Sequence, residues 1–346
     1  MNKGFWNNKS VLITGHNGFK GTWLVKWLDM LGAKTIGFSL EAEKESGING
    51  LILSSKHIEI IGDVRNISDL SKIKDYNPEI VIHLAAQAIV GKAKENPLET
   101  FETNLMGTVN LFEVLRETES VKSIVIVTSD KVYNNIETSR GYVEEDSLMG
   151  SEPYSCSKVC EEQAAEAYYN SYFKEKNIGV AVARASNAFG GGDYHFDRLI
   201  PYLQSCRFHN VAPSIRNPKS VRPWQYVLDL LNGYMVLAEK LYEDNSLSGA
   251  YNFGPSREEL VTVGKMADMI CHNSIEIEKQ NYYEAGLLFI NSSKSYEKLG
   301  WKAIFDIKRG LIETTLAYKE YFINGNSNSI YEKRILEFEK QMEVLS

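Results

Sequence analysis

Three groups of residues in this sequence have types and spacings that could do chemistry. Tyr154 and Lys158 stand four apart in Tyr-Ser-Cys-Ser-Lys. On a helix, residues at i and i+4 share a face. An ammonium beside a phenol favours the phenolate and lowers its pKa. Such a pair could take a proton from a carbinol while hydride leaves to a nicotinamide, whose ribose the lysine could hold. Thr128-Ser129-Asp130-Lys131 closes an apolar run. Ser129 could hydrogen-bond the same carbinol oxygen. Asp130 and Lys131 form an adjacent acid/base pair, which simple dehydrogenation does not need but loss of water beside a carbonyl does. Finally, Gly15-His16-Asn17-Gly18-Phe19-Lys20-Gly21 has the spacing G-x-x-G-x-x-G between a strand-like run and a helix-like one. Glycines there allow a tight turn and let a pyrophosphate approach the N–H groups of a helix N-terminus.

The elements that must position these groups alternate. Residues 11–14, 34–39, 58–63, 80–84, 123–128 and 180–185 read as strands, and 22–31, 98–116 and 161–176 as helices. Apolar strands alternating with helices imply a parallel sheet covered on both faces. Right-handed crossovers then make it doubly wound, a Rossmann-type α/β fold. Ligands in such sheets bind beyond the carboxyl ends of the strands, where all three groups fall. The alternation weakens after residue 187. The expected division is a dinucleotide-binding domain over 1–187, a smaller α/β substrate lobe over 188–323 from which the sheet takes back some strands, and a linker with a terminal helix over 324–346. Within these parts, 228–242, 262–271 and 330–345 read as helices and 324–329 as a flexible linker.

Composition narrows the function. Hydrophobic residues make up 43% of the 346, enough for a packed core. With 38 Lys+Arg against 45 Asp+Glu the net charge is −7, and no dense basic cluster suggests nucleic acid. No run has the length of a membrane span or the layout of a signal peptide, so a cytoplasmic protein is expected. The four cysteines (Cys156, Cys160, Cys206, Cys271) form no disulfide framework, and no metal site is expected. After the second strand, Ser39-Leu40-Glu41 offers no arginine for a 2′-phosphate and a glutamate that repels one. This favours NAD over NADP, with Lys44 the cation nearby. Asp63 could accept from an adenine amino group or cap a helix.

Together these residues resemble the extended short-chain dehydrogenase/reductase superfamily. More narrowly they are similar to its CDP-glucose 4,6-dehydratases, over about residues 5–320. The turn reads Gly-His-x-Gly-Phe-Lys-Gly, with Lys20 where most relatives carry an aliphatic residue. Ser129-Asp130-Lys131 resembles the family's Thr-Asp-Lys; dTDP-glucose dehydratases carry Thr-Asp-Glu. Residues 187–193 and 197–201 match the family's substrate loop, and 215–218 with 222–225 its diphosphate-binding segment. In place of the family's proline and Arg-x-Ser-Tyr stretch after Gln87, this chain reads Ala88-Ile89-Val90-Gly91-Lys92-Ala93-Lys94. Asn66 stands where an aspartate is usual.

The resemblance implies NAD as cofactor, held by Gly15, Asn17, Gly18, Phe19, Lys20, Gly21, Asp63, Val64, Leu84, Ala85, Ala86, Tyr154 and Lys158. It implies a nucleotide-sugar substrate, CDP-glucose, contacted by Gln87, Asn187, Arg198, Leu199, Arg216, Arg222 and Gln225. The planar fork of arginine suits the phosphates. Catalysis would fall to Ser129, Asp130, Lys131, Tyr154 and Lys158. Tyr154, aided by Ser129 and Lys158, would oxidise C4; Lys131 would remove the C5 proton; Asp130 would protonate the leaving C6 hydroxyl; hydride would return to C6. The product would be CDP-4-keto-6-deoxyglucose, a precursor of deoxy-sugars in surface glycans. An amine is a base only when neutral, and free lysine titrates at about 10.4. Burial or a neighbouring cation, such as Lys158 or the nicotinamide, must then favour the neutral form. Helices over 98–116 and 157–176 match the superfamily's dimer surface, implying a homodimer or tetramer. Alternative readings keep the fold and change the reaction: a 4-epimerase, a C4 oxidase, or a dehydratase of another nucleotide sugar. Asp130-Lys131 argues against the epimerase. A non-catalytic dinucleotide sensor is the remaining reading, against which Ser129, Tyr154 and Lys158 all speak.

Overall fold

Residues 1–42, 46–271, 275–277 and 286–345 are described in the computed structural model. Seven strands form its centre: β1 (Ser10–Thr14), β2 (Lys34–Ser39), β3 (Ile58–Ile61), β4 (Ile80–His83), β5 (Ser123–Val127), β6 (Gly179–Ala185) and β7 (Gly249–Phe253). They lie in the order β7-β6-β5-β4-β1-β2-β3, every pair parallel. β4, β5 and β6 are buried along their whole length, as continuous apolar runs sandwiched between helices must be. The winding reverses between β1 and β4. There Thr14 lies beside His83 and a crevice opens beyond the strands' carboxyl ends.

The helices used below are α1 (Phe19–Met30), α2 (Gly107–Leu115), α3 (Pro153–Tyr168), α4 (Leu199–His209), α5 (Val227–Glu243), α6 (Ile307–Asn324) and α7 (Asn328–Leu345). α1, α5 and α7 cover one face of the sheet in a core that includes Trp23, Trp27, Leu231 and Phe338. α2 and α3 cover the other, with Leu111, Phe112 and Ala165.

Several expectations need adjusting. The helix expected over 98–116 is interrupted by a π-turn at Glu102–Met106. α3 starts at Pro153 rather than at residue 161, because Glu152 caps it: its carboxylate accepts from the N–H groups of Tyr154 and Ser155. Tyr154 is thereby fixed in the first helical turn. β7 returns to the main sheet from the segment expected as the substrate lobe. Among the described residues, what remains outside the sheet carries short pairings: Trp224–Tyr226 with Asn187–Phe189, Val261–Thr262 with Val221–Arg222, and Glu276–Ile277 with Ser214–Ile215.

The segment 324–329 is no free linker. α6 runs to Asn324 and α7 starts at Asn328. Between them Asn326 donates to the carbonyls of Gly47 and Asn49 and accepts from the hydroxyls of Tyr194 and Tyr331. Its Asn/Gly/Ser composition signals a turn but does not say whether a turn is pinned. Among the described residues no helix is long and apolar enough to cross a membrane, and no cluster of three His, Cys, Asp or Glu could hold a metal.

Candidate active site

The glycine turn meets the crevice from the β1 side. Gly15 has φ +71°, and a Cβ there would lie 2.7 Å from the Ala85 nitrogen; one on Gly21 would lie 2.2 Å from the Gly15 carbonyl oxygen. Only glycine permits this packing of turn on β4 and of helix on turn. Gly18 begins α1 without a capping side chain, so the helix N-terminus keeps its donors for an anion. This cradle fits the pyrophosphate of a dinucleotide. Leu84 and Ala85 both donate to the Thr14 hydroxyl, at 3.2 and 3.3 Å, which fixes the opposite wall. Ala86 follows, half-buried, and Val64 lies buried against Gly107.

Two of the expected cofactor contacts are engaged within the protein. Asn17 donates to the Leu40 carbonyl and accepts from Ile48 N, tying down the loop after β2. Asp63 is gripped by Arg65, whose Nη2 lies 2.6 Å from Oδ2, and those hydrogen bonds hold its carboxyl below the usual range. Lys44 lies outside the described residues.

Phe19 and Lys20 are half-buried at the start of α1. Lys20 Nζ donates to the hydroxyl of Tyr234 on α5 at 3.0 Å. Burial, helped by the charges of Lys158 and Arg198, brings this amine down to about 7. Lys20 is therefore a lysine of the site whose environment favours the neutral form, something the glycine spacing alone did not reveal.

β5 delivers the acid/base pair. Ser129 caps the tight turn Asp130–Val132, accepting from Lys131 N at 3.2 Å. Its hydroxyl donates to Asp130 Oδ1 at 3.1 Å and also favours the phenolate of Tyr154. Asp130 is 1% exposed, and its Oδ2 has no hydrogen-bond partner among the described residues. Burial raises its pKa and outweighs the opposing charges of Lys131, Arg222 and Lys20. Lys131 Nζ sits 5.8 Å from the centre of the Tyr154 ring.

Tyr154 departs from the simple expectation. Lys158 and Ser129 do favour its phenolate, but burial is the larger effect and the net shift is upward. Lys158 donates to the Val127 carbonyl at 3.2 Å and lies 2.7 Å from Glu161 on the next turn of α3. Glu161 is fully buried and raised to about 7 by burial, with Lys158 opposing. Its carboxylate lies 4.0 Å from His83 Nε2. Burial depresses His83 to about 3, so the ring is neutral; Thr14 and Thr108 meet its two nitrogens at 2.6 and 3.0 Å.

The expected substrate contacts divide. Arg198 leads into α4, lies 3.0 Å from Asp193 and acts on Lys20; Arg222 acts on Asp130. The two guanidinium groups thus converge on the Lys20–Asp130 cluster. Asn187 and Leu199 are half-buried beside them in sequence, at Asn187–Phe189 and the start of α4. Arg216 is exposed. Gln87 spends its amide locally, donating to Ile89 O and Thr100 and accepting from Ile89 N. Gln225 is buried and favours the ionised form of Asp229, against the larger effect of burial. With Trp224 and Trp301 it lines a cavity of about 780 Å³, and Asp130, Lys131 and Tyr154 do not line it. The departing stretch after Gln87 forms a short helix, Val90–Glu95, with Ala93 inward and Lys92 and Lys94 exposed.

Sequence reading missed Thr14, His83, Asn104, Glu161 and Tyr234. Asn104 sits in the π-turn and donates to Ser157 and to Gln87 O. Glu161 alone had a local signal, an acid three residues beyond Lys158.

A sequence model of the family described as GDP-mannose 4,6 dehydratase matches residues 12–314. The chain is 39% identical to CDP-glucose 4,6-dehydratase of Salmonella typhimurium, covering 96% of this chain and 97% of that protein. It is 24% identical to dTDP-glucose 4,6-dehydratase of Haemophilus influenzae, covering 92% and 99%. Among solved structures, dTDP-glucose 4,6-dehydratase of Bacillus anthracis in complex with NAD shares the fold, with a TM-score of 0.77 at 24% identity and coverage of 91% and 97%.

Proposed function

The chain belongs to the GDP-mannose 4,6 dehydratase family, and on that premise we propose that it converts CDP-glucose to CDP-4-keto-6-deoxyglucose and water, with NAD as its resident oxidant. The observation that carries this reading is Asp130. A buried carboxyl with a raised pKa and a free oxygen, next to Lys131 and hydrogen-bonded by Ser129, is an acid kept ready to protonate a leaving hydroxyl. An epimerase expels no hydroxyl and has no use for such a group. The cytidine nucleotide is favoured by the 39% identical relative.

The glycine cradle, with Leu84, Ala85 and Ala86 opposite, would hold NAD. Bound there, the nicotinamide supplies a hydride acceptor for C4 and a donor for C6. Tyr154 takes the O4 proton, its phenolate favoured by Lys158, while Ser129 orients the carbinol. The C4 ketone acidifies the C5 proton, which Lys131 removes. Asp130 gives its proton to the C6 hydroxyl, which leaves as water, and Lys131 returns a proton to C5. Arg198 and Arg222 serve the diphosphate, where the charge of Arg198 also supports the neutral form of Lys20.

The protein works as a homodimer or tetramer in the cytoplasm, joined by the faces of 98–116 and 157–176 that expose Leu98, Met106 and Tyr172. The division into a cofactor part over 1–187 and a substrate part beyond it is functional: Arg198 and Arg222 come from the second, Tyr154 and Asp130 from the first. Incubation with NAD and CDP-, dTDP-, UDP- and GDP-hexoses in deuterated water, read by mass spectrometry, tests the reading. Loss of water from CDP-glucose, with one solvent deuterium kept at C5, is expected. No loss of water from any of them overturns it.

A further inference from the structure

Under that reading, Tyr154 acts through its phenolate, which the charge of Lys158 favours. The site is a hard place for a lysine to stay charged. Lys20 shows how hard: it meets the neutral hydroxyl of Tyr234, and burial brings it down to about 7. The charge of Lys158 is one of those that lower Lys20, and repulsion of this kind is mutual. Lys158 is itself only 3% exposed. What sets it apart is Glu161. One turn further along α3, this fully buried carboxylate lies 2.7 Å from Lys158 Nζ.

The other groups around the pair are engaged elsewhere or carry the wrong charge. Glu162, the next acid of α3, is taken by Arg184 of β6 at 2.7 Å and by the Thr128 hydroxyl at 2.6 Å. His83 of β4 lies 4.0 Å from Glu161 but brings no charge to it. The Thr14 hydroxyl accepts from Leu84 N and Ala85 N, so its own proton goes to His83 Nδ1. The Thr108 hydroxyl donates to the Asn104 carbonyl at 2.7 Å, so it accepts from His83 Nε2. The hydrogen-bond pattern thus assigns a neutral ring with both nitrogens in use. Asp130, after β5, is held toward its neutral form by burial. Lys20 of α1 and Lys131 beside Asp130 are further cations. Among the described residues, Glu161 is the one carboxylate within ion-pair distance of Lys158.

We propose that Glu161 is a positioning residue for the reaction, the buried counter-ion that keeps Lys158 an ammonium and so keeps its charge acting on Tyr154. Its own titration suits the task. Burial raises Glu161 to about 7, with Lys158 opposing. Below that pH the carboxyl is neutral, and the acidity of the solution holds the lysine proton. Above it the carboxylate forms, and it holds that proton where the solution would take it. The arrangement has a cost: the Glu161 charge itself disfavours the phenolate, though by less than Lys158 favours it.

The test follows one proton and one rate in the wild type, Glu161→Gln and Glu161→Asp. NMR of the full chain with isotope-labelled lysine, free of substrate, reads each side-chain proton against pH. Lys158→Arg and Lys20→Met identify the two signals by their loss. In the wild type Lys20 is expected to titrate at about 7 and Lys158 not to follow it. Glu161→Gln keeps the shape and removes the charge, so Lys158 is expected to lose its proton over the same range as Lys20. The kcat/KM profile with NAD and CDP-glucose then gains an alkaline limb, falling about tenfold for each pH unit, as loss of one required proton does. Glu161→Asp keeps the charge and is expected to restore the wild-type profile. A uniform drop in rate at every pH in Glu161→Gln, with Lys158 still protonated, overturns the proposal and leaves Glu161 a packing group. An acid limb moved to lower pH, with no alkaline limb, also overturns it and shows that Glu161 only damps the cation. If Glu161→Gln folds poorly, the wild type decides alone: Lys158 titrating together with Lys20 overturns the counter-ion. Failure of the wild type to remove water from CDP-glucose overturns the dehydratase reading and leaves the lysine titration standing, so the two failures are separable.

Discussion

The charges of Lys131 and Lys20 both act on Asp130. Burial and two neighbouring cations lower Lys20 to about 7, while Lys131 is the lysine adjacent to the acid and over the Tyr154 ring. Lys131→Ala is expected to allow C4 oxidation and to stall elimination, so reduced cofactor builds up by absorbance without keto-deoxy product. If Lys131→Ala dehydrates at the wild-type rate, the C5 base is elsewhere, and Lys20→Met then becomes the decisive variant. A second residue-scale expectation concerns stability. Asp229 is fully buried, accepts from Ile304 N at 2.5 Å and Phe305 N at 3.4 Å, and is nevertheless raised by burial from 3.8 to about 7. A folded-state pKa above the unfolded one means that the folded chain keeps a proton the unfolded chain has lost. Its contribution is whole below pH 4 and is lost as pH rises through 7. Asp229→Asn keeps the acceptor and removes the titration. The difference in unfolding free energy between variant and wild type should therefore shift by a few kcal/mol in the variant's favour from pH 4 to pH 8. A pH-independent difference in urea titrations would show that Asp229 stays ionised in the fold. The catalytic motifs were legible because each is local: Tyr154 and Lys158 share a turn, and Ser129-Asp130-Lys131 is contiguous. Tyr234, His83 and Thr14 were not, because they meet the site only when separate elements pack, and no spacing announces that.

Among the elements, α3 does the finest positioning. Tyr154 stands in its first turn, where helices fray unless capped. Glu152 accepts from Tyr154 N and Ser155 N, both at 2.8 Å, while Ser155 Oγ accepts from Glu152 N at 3.3 Å. Removing the cap with Glu152→Ala should cost about 0.5–2 kcal/mol of stability. It should lower kcat more than it raises KM for the nucleotide sugar, because it releases the turn that aims the phenol. Glu152→Asp should restore most of both. An unchanged kcat in Glu152→Ala would mean that packing around Tyr154, not the cap, sets its place. The sequence hid this start: a glutamate before proline is a rarer opening than Ser, Thr, Asp or Asn, and the apolar period becomes visible only further along. β7 was hidden for a related reason. Gly-Ala-Tyr-Asn-Phe is short and carries a polar residue, so it lacks the continuous apolar run by which β4, β5 and β6 announced themselves. The runs that are buried on both faces were the readable ones; an edge strand covered by a connecting segment was not.

Over the whole molecule, the two ends of the chain close on the helix that begins the cofactor cradle. Tyr331 of α7 stacks edge-on against Trp23 of α1 at 4.6 Å, Phe338 against Trp27 at 5.5 Å, and Glu339 accepts from the Trp27 indole at 2.8 Å. Lys3 pairs with Glu339 and Glu343 from the other side. Trp23 in turn donates to the Gly191 carbonyl at 2.7 Å, in the loop that leads to Asp193 and its partner Arg198. α7 thus braces both the phosphate turn and the approach to the diphosphate arginines, although it contributes no side chain to either. Phe338 is fully buried against Trp27, Tyr226 and Phe305. Phe338→Ala should remove about 3–5 kcal/mol, because the aromatic cluster around it cannot collapse into the space. If the brace argument holds, the loss is not confined to stability: α1 loosens, and NAD affinity measured by calorimetry well below the melting temperature should fall as well. A variant that melts earlier but binds NAD as tightly as the wild type would show that α7 merely caps the core. One that loses both would show that the cradle at residues 15–21 depends on a helix more than 300 residues away in sequence.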